Sequence, residues 1–153
     1  MSITREDHSN TRQTVLFPPA KVEATQDAIA SIDVSGFDSL LITAIIGVSD
    51  VDLDGDNSLQ FELEHSDNDA DFEACGDSDL VDSVEGLNAG TFGVIDAAVP
   101  GEGLAFKCAY KGHKRYVRPV IRCTGDDHGN DEHGTMIGIS GILRGSKYRP
   151  VSG

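Results

Sequence analysis

Asp50, Asp52 and Asp54, followed by Gly55, form the sharpest chemical pattern in the sequence. Carboxylates at alternate positions can converge on a hard cation, and the glycine permits a sharp turn; together they match the first half of a calcium loop. The second half departs from it. The place of the bidentate glutamate is held by Phe61, and Glu62 comes one position late. The flanks read as strands rather than helices, so a solvated acidic turn is the better reading and calcium the lesser one. His128 and His133, in the loop 125–134, lie five apart, which is not a zinc spacing. A mobile polar loop is the simpler account of them.

Glu62 and Glu64 fall on one side of an alternating stretch. Paired carboxylates of this kind serve glycoside hydrolysis, yet they are commoner as ordinary solvated residues. Cys75 sits in EACGDSD, where neighbouring carboxylates oppose a thiolate. The sequence contains no G-x-S-x-G, H-E-x-x-H, phosphate-binding loop or dinucleotide fingerprint. These residues imply no enzyme.

The basic segment offers a different chemistry. Lys107, Lys111, His113, Lys114, Arg115, Arg118 and Arg122 are interleaved with Phe106, Tyr110 and Tyr116. Such a surface can take single-stranded nucleic acid, but the acidity of the remaining chain opposes it. Residues 1–106 hold 22 of the 26 acidic residues and three of the 12 basic ones, a net charge of −19; residues 107–153 hold four and nine, a net of +5. Two readings remain: the cations neutralise the chain's own carboxylates, or they dock on an acidic protein surface, with Lys111, Lys114, Arg115, Arg118, Arg122 and Arg144 as the docking set.

Strands must position these residues. Helical periodicity is weak and β-branched residues are frequent. Residues 39–47 (SLLITAIIG) and 59–65 (LQFELEH) read as strands joined by an Asp54-Gly55 turn, so 39–65 is expected to be a β-hairpin. Further strands are expected at 28–34, 104–110, 115–124 and 135–144, with weaker ones at 13–17 and 92–96. In 115–124, Val117, Pro119, Ile121 and Cys123 share one face, and Pro119 implies an edge or a bulge. Residues 66–91 form a long acidic connection with room for a short helical turn. The fold expected is all-β: a single antiparallel β-sandwich or jelly roll of about eight strands over 21–153, with an extended N-terminal arm at 1–20.

At 153 residues and 39% hydrophobic composition the chain suits one domain with a real core. No apolar run approaches a membrane span. The polar N-terminus lacks a secretory signal, and three cysteines, Cys75, Cys108 and Cys123, imply reduced thiols made in a cytoplasm.

Three stretches carry a resemblance. Leu63-Glu64-His65-Ser66-Asp67-Asn68 with Asp71-Phe72, the run Tyr110 to Arg118 (YKGHKRYVR), and the closing Ile139 to Val151 resemble the strand and loop motifs of small virion structural proteins of tailed bacteriophages, including head decoration (cement) proteins. The resemblance implies a non-enzymatic capsid decoration protein on the virion surface, made in the host cytoplasm. Its implied partners are the major capsid protein and copies of itself; the lack of an apolar span argues against a membrane, and the net acidity opposes nucleic acid. A tail or connector protein is the alternative within virions. A carbohydrate-binding jelly-roll module is the alternative outside them, opposed by 6% aromatic content and the absence of Trp.

Overall fold

The computed structural model describes residues 11–145. Ten strands follow in chain order: β1 (Thr11–Val22), β2 (Ile32–Asp33), β3 (Ser39–Ser49), β4 (Ser58–Ser66), β5 (Glu73–Ala74), β6 (Leu80–Val81), β7 (Thr91–Ile95), β8 (Leu104–Tyr110), β9 (Tyr116–Thr124) and β10 (Thr135–Arg144). All ladders are antiparallel. The first sheet has the order β1-β10-β3-β8-β6. The second has the order β2-β9-β4-β5, with β7 also on β4. This is a β-sandwich.

The core lies between the inner faces of the two sheets. From the first come Leu40, Ile42, Ala44 and Ile46 of β3 with Ile137, Ile139 and Leu143 of β10; from the second come Leu59, Phe61 and Leu63 with Val117 and Ile121. Phe61 is fully buried and packs its ring on Phe92 and Phe106, with centroids 6.1 and 5.6 Å away. Alternation along each strand puts these side chains inward because successive residues of a strand point to opposite faces.

The expected 39–65 hairpin does not form. β3 pairs with β10 and β8, β4 pairs with β9, β5 and β7, and the two strands face each other from opposite sheets. The connection between them buries Val51 and Leu53. Those two side chains carry the chain across one end of the sandwich, and the Asp54-Gly55 turn only closes the far end of this crossing, where Asp54 N–H donates to the Asn57 carbonyl at 2.9 Å.

Residues 11–20, expected as part of an arm, belong to β1, an edge strand paired with β10 along its length. The register shifts between Phe17 and Ala20, where Pro18 and Pro19 sit. Proline is compatible with such an edge, having no N–H to give to a ladder. The remainder of the expected arm, 1–10, lies outside the described residues. Of the expected strand 28–34 only Ile32–Asp33 pairs, with Val117 and Tyr116. The preceding chain touches β9 through one bridge, Gln26 to Ile121. Pro119 lies in the unpaired gap between those two contacts on the same side of β9. β9 itself is flanked by β2 and β4 and keeps its register with β4, so in place of the expected edge or bulge there is a local break in pairing, where the missing N–H costs no ladder bond.

Candidate functional site

The outer face of the second sheet collects the carboxylates and guanidiniums singled out in the sequence. Register sets Glu64 opposite Arg118 and Gln60 opposite Arg122, with Val120 between them opposite Glu62. Arg118 Nε donates to Glu64 Oε1 at 2.9 Å, and its guanidinium lies 4.0 Å from the Phe72 ring centre. Arg122 Nε donates to Glu62 Oε2 at 2.5 Å, and Glu62 is only 5% exposed. Val120, between the two arginines on the same face, is buried. Glu62 and Glu64 are therefore held by arginines, not set across a cleft as an acid and a nucleophile.

Arg115 makes a two-pronged contact with Asp33, Nε to Oδ1 at 3.0 Å and Nη2 to Oδ2 at 2.8 Å, which holds the Asp33 carboxyl well below the usual carboxylate range. Lys114 Nζ reaches Glu73 at 2.6 Å and Asp67 at 3.5 Å. A buried polar post supports that turn: His65 Nδ1 lies 2.8 Å from Tyr110 Oη, which also accepts the Lys114 N–H at 3.0 Å. Burial pushes the Tyr110 hydroxyl up to about 12. Four of the six docking candidates, Lys114, Arg115, Arg118 and Arg122, thus have carboxylate partners in their own chain.

Asp50, Asp52 and Asp54 do not converge. Asp50 binds Lys21 Nζ at 2.8 Å. Asp54 Oδ1 accepts the N–H groups of Asp56 and Asn57, both at 2.8 Å, which lowers its carboxyl. Among the described residues no three His, Cys, Asp or Glu side chains could hold a metal ion. The loop 125–134, read as mobile, is tied to the 50–57 crossing. Asp127 Oδ2 accepts the Asp52 N–H at 2.7 Å, Asn57 Oδ1 accepts the Asp127 N–H at 3.0 Å, and His133 Nδ1 sits 3.1 Å from Asp127 Oδ1. All three thiols are free, and desolvation pushes Cys75 and Cys108 up to about 12 and Cys123 to about 11. They are poor nucleophiles at neutral pH.

Sequence reasoning missed the opposite face. The five strands of the first sheet contain not one Asp or Glu, in a chain with 26 of them; their charges are Arg12, Lys21, Lys107 and Arg144. The outer surface is apolar at its centre, with Ile45 67% and Val15 61% exposed. These two, with Phe17 and Met136, wall a groove of about 390 Å³ that Gly47 and Gly138 leave open. Lys107 faces outward on β8, and Arg12 and Lys111 stand at one end; none of the three has an ion pair among the described residues. The signal was present in 39–47. An antiparallel strand with one wet face alternates, whereas a run apolar at both parities is expected where both faces are covered. Leu41 and Ile45 are the odd-parity residues that broke the alternation.

This arrangement can bind protein: an apolar, carboxylate-free sheet face with cations beside it, on a domain whose other surfaces carry the negative charge. No family model, curated protein or solved structure matches the chain.

Proposed function

We propose that this chain is a non-enzymatic structural protein that assembles with other proteins through the outer face of its first sheet, and that the assembly is the head shell of a tailed phage, which it decorates and stabilises. The observation that carries the docking reading is the carboxylate-free face. Exposed contiguous apolar surface costs solvation free energy, and soluble domains that keep it use it for contact. The virion setting rests on the strand and loop motifs at 63–72, 110–118 and 139–151. The major capsid protein and further copies of this chain are the partners. Docking moves from the basic strand β9, whose arginines are engaged internally, to the β1, β10 and β3 surface, with Lys111 and Arg144 at its border.

Separation of virion heads from tails on a density gradient, followed by mass spectrometry of each fraction, tests this. The chain is expected in the head fraction at a stoichiometry comparable with capsid subunits. Its presence in tails alone, or its absence from virions, overturns the head assignment.

A further inference from the structure

We infer that the groove on the first sheet's outer face seats an apolar side chain of a different protein, and that the surface bearing that side chain carries a carboxylate facing Lys107. The inference rests on the docking reading above and names the chemistry of the partner at that face.

Register builds the site. Val15, Ser140, Thr43 and Lys107 stand in one row across β1, β10, β3 and β8. Alternation turns all four outward, since their chain neighbours Leu16, Ile139, Ala44 and Cys108 are buried. The Thr43 and Ser140 hydroxyls bond each other at 2.7 Å and close one end of the groove. Its floor is Gly138, opposite Ile45, and Met136 stands at the other end. Lys107 is one strand beyond Thr43, about 4.8 Å away. It is exposed and has no ion pair among the described residues. Its flexible four-carbon stem lets the ammonium reach a group held over the groove.

Charge then selects the occupant. An uncompensated cation beside an apolar groove is complemented by an apolar group with a carboxylate next to it. A second copy presenting the same face does not supply one: the five strands hold no Asp or Glu, and Asp38 and Asp50 stand beyond the two ends of β3. A copy centred on the face leaves Lys107 without a carboxylate. Shape excludes a free small molecule. Small-molecule sites bury about 70–90% or more of their ligand, whereas this groove is cut into one sheet face and is open along its top. A side chain backed by its own protein covers that open side.

Panning a surface-displayed library of random peptides, about 12 residues long, against the immobilised full chain is the test, with Ile45→Asp as counter-selection. Enriched peptides are expected to combine apolar residues with Asp or Glu and to lack Lys and Arg. In fluorescence anisotropy with the leading peptide, Ile45→Asp is expected to weaken binding at least about tenfold, with its melting temperature unchanged. Lys107→Glu is expected to weaken it at least about fivefold, and exchanging the peptide's carboxylate for its amide to abolish that sensitivity. Enrichment of basic or uncharged peptides, or a Lys107→Glu effect that survives the amide exchange, overturns the proposal. Decanoate binding at Ile45 and Met136 more tightly than the peptide makes the groove a small-molecule site and overturns it. An Ile45-dependent dimer of the wild-type chain in sedimentation equilibrium gives the face to a second copy and overturns it too. If no peptide depends on Ile45, yet Ile45→Asp abolishes co-sedimentation with heads, docking stands and the chemistry inferred here falls. If the peptides emerge as expected and heads lack the chain, the site stands and the virion reading falls.

Discussion

Asp33 and Arg115 meet through two hydrogen bonds, and the consequence is a defined response to acid. The guanidinium depresses the Asp33 carboxyl in the folded state, so the unfolded chain takes up the proton first. The stability contributed is fully present above the unfolded value near 3.9 and is lost as pH falls towards the lower folded value. Glu73, lowered by Lys114, and Asp127, lowered chiefly by the Asp52 N–H and then by His133, act in the same direction. The melting temperature of Asp33→Asn is therefore expected to fall less steeply than that of the wild type between pH 5 and pH 2; parallel curves would show that the pair contributes nothing. Phe61 illustrates the apolar counterpart. Its truncation to Ala leaves Phe92 and Phe106 lining a void and is expected to cost about 3–5 kcal/mol in urea unfolding.

At the scale of elements, the turn between β8 and β9 depends on a close approach. A Cβ on Gly112 would lie 2.5 Å from Tyr110 Oη. Gly112→Ala must displace the ring that holds His65 and the Lys114 N–H, and is expected to lower stability by roughly 1–3 kcal/mol, the range for a broken buried hydrogen bond. Edge strand β1 makes a different prediction. Prolines blunt sheet edges against pairing with other chains, so Pro18→Thr with Pro19→Val is expected to aggregate faster on heating, measured by light scattering, while remaining folded at low temperature. The β-strands themselves were legible: the runs 104–110, 116–124 and 135–144 alternate clearly, and Pro119 marks the place where β9 goes unpaired on one side. The partner of each strand was not. The 39–65 hairpin failed because Asp54-Gly55 looks the same in a tight hairpin as in a crossing between sheets, and only the burial of Val51 and Leu53 separates the two. The apolar outer face escaped notice for a related reason: Leu41 and Ile45 hint at it within 39–47, but it is assembled from β1, β10 and β3, which are remote in sequence, and no single strand shows that they lie side by side.

Over the whole molecule, the uneven charge of the two chain segments resolves into local neutralisation plus a bare face. Arg118 braces β9 against β4 and carries Phe72, while Arg115 clips β2 to the turn before β9. Charge reversal of Arg115 and Arg118 to Glu is therefore expected to lower the melting temperature, chiefly through the less exposed Arg118–Glu64 pair. It is expected to leave the sedimentation behaviour of the surviving folded fraction unchanged. A wild-type melting curve with altered self-association would instead return these arginines to the docking surface. The carboxylate-free sheet also governs how the molecule lies on a charged support. At neutral pH, adsorption to a cationic resin or an amine-coated sensor proceeds through the loops and second sheet that hold the Asp and Glu residues. A layer deposited in this way is oriented without any tag, with β1, β10 and β3 turned to the liquid and open to whatever is flowed across them.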